Sequence, residues 1–438
     1  MLYRIITGNY KSFAENTSFD LFPNPKRETF PNHVCGEGVT PVLKSTAIYG
    51  ANGAGKSNLI KGMRFIQEFA TTLNTGKDSQ KLRNWYLNNR FKLPVEDENK
   101  PISFVVEFEN NSRAYLYCLE IDANGVKSES LLLSGVGKTN HIVFQRDRNG
   151  IVFKKAKVVE SVRKILERQI SENPFGSVLA TNGILHLTED EHMKNAFGWF
   201  MDKLEVIEIS RDIPWLIDHF KDNVDMMEFV GEIFTKVGLG IQNLYIKDET
   251  FDQWLKNASQ EDSKVADIVT NKGLSLSKMI DDVPMLTVTE EDGKRLVREF
   301  VFQQIGRNGS VCDMDVMSQS TGTLRLLTLI PAIYFAINNG KTVLIDEIDN
   351  GIHPMLIKNL VKFFGESKSN GQLIYTTHET ALLNQQELLR PDEVWFVEKV
   401  EGCTKMYSLN DFKIHKTISI ENGYLDGRFG AIPFIGTL

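Results

Sequence analysis

Cysteine is scarce and scattered in this chain. The four cysteines, Cys35, Cys118, Cys312 and Cys403, form no CxxC pair, so a zinc site and a disulfide framework are not expected and the thiols read as reduced and structural. Positive charge is also short: 50 basic side chains against 57 acidic ones leave a net charge of −7. That argues against a constitutive, diffuse grip on nucleic acid, which needs a basic domain. No run approaches the roughly 18 apolar residues of a membrane span, and the opening Met1-Leu2-Tyr3-Arg4-Ile5-Ile6 lacks the shape of a cleavable signal peptide. The expectation is a cytoplasmic protein with no membrane partner. Sustained heptads and fixed-period repeats are missing too, so no long coiled-coil arm is expected. At 438 residues with 42% apolar side chains, what remains is a globular chain of one large or two to three ordinary domains.

What is present is a glycine-rich stretch, Gly50-Ala51-Asn52-Gly53-Ala54-Gly55-Lys56-Ser57. The apolar run Ala47-Ile48-Tyr49 before it reads as a buried strand. After it, Asn58 to Leu73 carries Leu59, Ile60, Met63, Ile66, Ala70 and Leu73 at helical spacing. Strand, glycine turn and helix in that order are the context a P-loop needs. Asn52, Gly53, Ala54, Gly55 and Asn58 would line the phosphates of ATP with backbone N–H groups and the helix N-terminus. Lys56 would reach the β- and γ-phosphates, and the Ser57 hydroxyl would ligate Mg²⁺. A chance glycine-rich turn does not bring all the fixed positions into this context.

The expected fold class is α/β, a P-loop ATPase domain with a mixed sheet and an antiparallel β meander, interrupted by a mainly helical insertion. Residues 1–157 form the first ATPase lobe. Within it, 102–108, 114–121 and 126–133 read as strands, and 141–146 and 151–154 flank the hairpin signal Asn149-Gly150. Residues 158–310 are expected to be mainly helical with connecting strands: a helix over 193–204, another over 215–237 ended by Gly238 and Gly240, then a polar, turn-rich 252–310 with a hairpin at Asp292-Gly293. Residues 311–438 form the second lobe, with an apolar helix over 323–337 containing Pro331, and buried strands at 342–345 and 372–376. A basic group, Lys154, Lys155, Lys157, Arg163, Lys164 and Arg168, reads first as a solvated face and second as a local patch for nucleic acid.

The strand Val343-Leu344-Ile345 runs into Asp346-Glu347. After a P-loop, such a pair is the second half of a phosphate-hydrolysis site: Asp346 holds Mg²⁺ through water and Glu347 orients the attacking water. The next strand ends in His378, placed where α/β sheets bind ligands and able to donate to a γ-phosphate. Ser318-Gln319-Ser320-Thr321-Gly322-Thr323 opens a helix. From the residues alone it is either a simple helix cap or a second anion cradle, closing on a nucleotide held by another copy.

P-loop, antiparallel insert, small-residue stretch, Asp-Glu and His, in this order, resemble the ATP-binding-cassette ATPases of the SMC type. Among these, the chain is similar to soluble ATPases of bacterial anti-phage systems, relatives of the overcoming-lysogenization-defect ATPases that include RloA/AbiL-type and PARIS AriA-type proteins. The likeness runs through Asn9 to Phe13, Tyr49 to Asn58, Gly238 to Ile246, Ser320 to Arg325, Ile345 to Pro354, Gln372 to His378, Asp392 to Lys399 and the closing Gly423 to Ile435. It implies that Ser320 and Gly322 are signature residues acting in trans and that Asp349-Asn350 contacts the opposite subunit. Gln319 stands where many relatives carry an acid, and Gln145 and Gln169 are the candidates for the glutamine that follows the first lobe. The implied function is an ATP-dependent homodimer or higher oligomer, an ATPase that senses a phage-encoded trigger and controls a separately encoded nuclease or toxin. The competing readings are a self-contained nuclease, for which Asp313-Met314-Asp315 is the one Asp-x-Asp, and a DNA-repair or chromosome-organising ATPase acting on DNA.

Overall fold

The computed structural model describes residues 1–36, 38–93, 100–208, 217, 220–221, 223–257, 277–280, 283–291, 293–384, 387–414 and 418–433. The chain forms two units. One contains Met1–Glu208, Ala336–Ile348 and Lys358–Leu438, the other Ile209–Phe335 and Asp349–Ile357.

The first unit contains two large sheets and a two-stranded one, Val34–Cys35 with Val42–Leu43. A six-stranded sheet runs in the order Leu204–Ile207, Thr342–Ile345, Gln372–Thr376, Ser45–Gly50, Val394–Val400, Cys403–Ser408. Its first five strands are parallel and the last is antiparallel. Parallel strands covered on both faces need continuous apolar runs, and Val343, Leu344, Ile345, Leu373, Ile374, Ala47 and Ile48 are all buried. A seven-stranded antiparallel sheet holds the expected meander, Ile102–Asn110 through Gly150–Phe153, and is completed by Leu2–Gly8 and Thr17–Asp20. The helix Lys56–Thr71 shares one core with both sheets: Leu59, Ile60, Met63 and Ile66 cluster with Ile48, Leu344 and Ile374 and with Phe104, Val106 and Tyr117. Apolar side chains on its buried stripe are what seat it there.

The first unit extends past the expected boundary at 157. Helices Glu160–Glu172, Val178–Leu185 and Glu191–Gly198 add Leu166, Val178, Leu179, Met193 and Ala196 to the same core. Glu129, fully buried on the meander, ties them down. It accepts hydrogen bonds from Val178 N, Leu179 N, Ser177 Oγ and Tyr117 Oη at 2.9–3.2 Å, satisfying N–H groups that a helix start leaves open. The helix expected over 193–204 is an α-helix over Glu191–Gly198 that widens in its last turn. After Gly198 the chain makes one wide turn, Trp199–Lys203, and Leu204–Ile207 joins the edge of the mixed sheet.

In the second unit the helix Val224–Lys236 is capped by Asn223 and stops before Gly238 and Gly240, both at φ 74°. Trp215 and most of the expected first turns lie outside the described residues. The polar stretch that follows is largely a sheet rather than loops, which corrects the mainly helical expectation for its second half. Ile241–Thr250, Lys294–Ile305, Val283–Glu291, Ser277–Ile280 and Val311–Asp315 form five antiparallel strands. Glu291 pairs with Lys294 at the expected hairpin, whose Asp292 lies outside the described residues. Phe220 packs edge-on against Phe300, and Phe234 against Phe302. The helix Thr321–Asn339 contains Pro331 and crosses from one unit into the other. Against the expectation, it has the length and apolarity of a membrane span, but 72% of its most apolar stretch is buried inside the protein.

Candidate functional site

The chain leaves the buried strand Ser45–Gly50 through a loop in which Asn52 and Gly53 are exposed while Ala54 and Gly55 are buried. Gly55 sits at φ 119°, and a Cβ there would lie 2.3 Å from Thr404 Oγ1 and 2.9 Å from Ser12 Oγ. Only glycine fits both the dihedral and the space. We expect Gly55→Ala to put about 1–3 kcal/mol of strain on the loop and to weaken ATP binding roughly 5- to 150-fold, read by nucleotide titration beside a melting curve that moves by only a few degrees.

The side chains crowding Gly55 also hold the loop. Thr404 Oγ1 donates to Ala54 O at 2.7 Å and lies 2.6 Å from Ser12 Oγ. Asn58 Nδ2 donates to the same Ser12 oxygen at 2.7 Å, and Thr404 N to Ser12 O at 2.7 Å. Ser12 belongs to a tight turn in which Asn9 and Lys11 take left-handed φ values of 51° and 50°. Asn9 suits that conformation, and its Nδ2 donates to Lys100 O at 2.6 Å. Burial, then the like charge of Lys61, lowers the Lys11 ammonium below its ordinary value, with Glu208 opposing. No role was read for Ser12 in the sequence, and Thr404, on a distant edge strand, gave no local signal.

The chemistry collects at the carboxyl ends of three adjacent parallel strands, where open α/β sheets place their ligands. Lys56, 6% exposed, donates from Nζ to Gly50 O at 2.7 Å and Ala51 O at 3.3 Å, and meets His378 Nε2 at 3.0 Å. In that contact Nε2 is the acceptor, because an ammonium only donates. Ser57 Oγ donates to Asp346 Oδ1 at 3.0 Å. Thr376, at the tip of the histidine strand, donates to the same oxygen at 2.7 Å and accepts from Glu347 N at 2.7 Å. Asp346 is buried, Glu347 half-buried and His378 exposed. Glu347 has φ 46°, unusual for a side chain of its size, and such strain concentrates at functional sites. Lys56, Ser57, Asp346, Glu347 and His378 thus all lie in the first unit, at the ends of these strands. Ser57 and Asp346 are hard oxygen donors one hydrogen bond apart, a set that suits Mg²⁺.

Ser320, Gly322, Asp349 and Asn350 belong to the second unit. Ser320 is exposed and caps the helix Thr321–Asn339: its Oγ accepts from Thr323 N at 3.2 Å and lies 2.9 Å from Thr323 Oγ1. A Cβ on Gly322 would stand 2.7 Å from Gly351 O, so glycine there lets the loop carrying Asp349 and Asn350 approach the helix start. Gln319 Oε1 accepts from Gln304 at 3.2 Å.

The remaining sequence candidates fall elsewhere. Gln145 and Gln169 are exposed on the strand His141–Asp147 and the helix Glu160–Glu172. On that helix Arg163 and Arg168 pair with Glu167 and Glu172 one turn on, the arrangement of a solvated face. Asp313 accepts from Tyr245 and Gln303, and Asp315 caps Ser318, so each carboxylate is engaged structurally. In the closing stretch, Tyr424 and Phe429 stack on Phe396, Tyr424 also meets Tyr49, and Thr380 Oγ1 bonds Glu421 at 3.1 Å. Phe434 and Ile435 lie outside the described residues.

The sequence family described as "AAA domain, putative AbiEii toxin, Type IV TA system" matches residues 45–167 and 249–384, more than half of the chain. No curated protein matches significantly. Among solved structures, the chain is similar to an SMC head bound to the C-winged helix domain of ScpA (14% identity, 94% of this chain, 99% of that one, TM-score 0.45). It is also similar to the SMC head domain from Thermotoga maritima (12%, 94% and 99%, TM-score 0.39). A third is the Smc head domain with an extended coiled coil bound to the C-terminal domain of ScpA derived from Pyrococcus furiosus (14%, 98% and 99%, TM-score 0.43).

Proposed function

Because the chain belongs to the family described as AAA domain, putative AbiEii toxin, Type IV TA system, we propose that it is an ATPase that closes as a homodimer around ATP. In this reading it serves, in the cytoplasm, as the sensor or regulatory subunit of an anti-phage, abortive-infection system. Its closure answers a phage-encoded trigger and controls a separately encoded effector, a nuclease or toxin. The observation that carries the ATPase reading is the convergence of Lys56 with His378 and of Ser57 with Asp346.

In this reading the loop amides and Lys56 hold the triphosphate, and His378 marks the γ-phosphate end beside Lys56. Glu347 takes the proton of the attacking water or orients it. Ser57 and Asp346 would hold Mg²⁺, which supplies charge neutralisation of the phosphates. Ser320, exposed, and Gly322, half-buried, stand at the start of a 19-residue helix and offer a second anion cradle that we assign to the neighbouring copy's nucleotide. A nucleotide that binds only the closed dimer shifts association by its differential affinity.

Light scattering with ATP, ADP or no nucleotide tests this directly. The wild type is expected to double its mass with ATP alone, and Ser320→Arg to stay monomeric while binding ATP normally. Dimerisation of Ser320→Arg like the wild type would remove the signature from the reading.

A further inference from the structure

We propose that Thr376 is a positioning residue for the hydrolysis step, its hydroxyl fixing the Asp346 carboxylate and the Glu347 backbone relative to one another. The inference rests on the ATPase reading above. Thr376 is 0% exposed and ends the strand Gln372–Thr376, beside the strand that delivers Asp346. A hydroxyl has one proton to give and lone pairs to receive, and here both are used. The proton goes to Asp346 Oδ1 at 2.7 Å, and the oxygen accepts the Glu347 N–H at 2.7 Å. The Thr376 carbonyl accepts the next N–H, that of Ile348, at 3.0 Å. One residue of the histidine strand therefore ties three successive residues of the acidic loop.

Two features make this more than a satisfied buried threonine. Asp346 Oδ1, the oxygen Thr376 engages, also accepts from Ser57 Oγ at 3.0 Å. The hydroxyl thus sits one bond behind the pair of oxygen donors expected to hold the metal, where outer partners orient the inner ones. Glu347, meanwhile, is left-handed at φ 46°, a conformation that persists only when its surroundings over-determine it. Bonds from Thr376 to its own N–H and to that of Ile348 do so. Valine has the same shape and can make neither side-chain bond; serine can make both.

The test compares Thr376→Val and Thr376→Ser with the wild-type chain. In Thr376→Val, kcat for ATP is expected to fall roughly 10- to 100-fold with KM little changed, and the affinity for Mn²⁺ in the nucleotide complex, read by electron paramagnetic resonance, to fall in the same range. Binding of a fluorescent ATP analogue without metal stays as in the wild type. Thr376→Ser is expected to restore most of kcat and of Mn²⁺ affinity. Wild-type kcat and Mn²⁺ affinity in Thr376→Val would overturn the assignment, and so would equal losses in both variants that track their melting temperatures. A wild-type chain that binds ATP but never hydrolyses it would instead overturn the ATPase reading, and the Mn²⁺ arm would still decide the role of Thr376.

Discussion

Lys56→Ala is expected to lose ATP binding by about 2–5 kcal/mol, the range for truncating one partner of a buried, hydrogen-bonded charge pair, or roughly 30-fold to several-thousand-fold in affinity. Lys56 is 6% exposed and its ammonium is already held by Gly50 O and Ala51 O, so it is placed before nucleotide arrives and little ordering cost offsets its contribution. Its removal leaves those two carbonyls beside the exposed loop tip at Asn52 and Gly53, where water can replace it, and the melting temperature should move by only a few degrees. Titration calorimetry with ATP is the measurement. If the Gly50–Ser57 loop is a cradle for something other than a triphosphate, the variant will bind ATP as the wild type does. Protection against phage, where the wild type confers it, should vanish with binding.

Glu347→Gln is expected to separate binding from hydrolysis. Loss of a positioned general base lowers the rate by roughly 10²–10⁴-fold, while the amide keeps the size of the carboxylate. The bond from Thr376 reaches the backbone N–H at 347 and not the side chain, so the left-handed turn survives the substitution. With the nucleotide no longer consumed, the closed dimer accumulates by mass action, and sizing should show an ATP dimer that persists long after the wild-type dimer has hydrolysed its nucleotide and come apart. Rapid-quench single turnover gives the rate. A wild-type rate in this variant would move the base to another residue.

Much of the first unit was legible because its signals are local. A buried strand, glycines and an amphipathic helix stand in one stretch around Lys56, and the acidic pair and His378 each follow a short run of buried apolar residues. The hairpin signal at Asn149-Gly150 and the short apolar runs before it made the meander readable. The second unit's sheet was not legible, because its strands carry charges at consecutive positions and so on both faces. Lys247, Asp248 and Glu249 lie opposite Glu299, Arg298 and Val297, and such a pattern reads as loop when the partner strands are unknown. Leu204–Ile207 was hidden for a different reason. Four apolar-rich residues directly after a helix continue its stripe, and only pairing with Thr342–Ile345 makes them a strand. Thr376 and Thr404 could not be found at all, since their roles depend on which strands lie side by side, and a single hydroxyl in a strand carries no trace of that.

The central claim, a site completed by a second copy, is tested most directly by mixing two inactive variants, Lys56→Ala and Ser320→Arg. In a dimer of one each, one site pairs both defects and the other joins an intact P-loop to an intact Ser320. The account predicts that the mixture hydrolyses ATP although neither variant does so alone. A mixture as inactive as its components, with co-association confirmed by differential tagging, would contradict it.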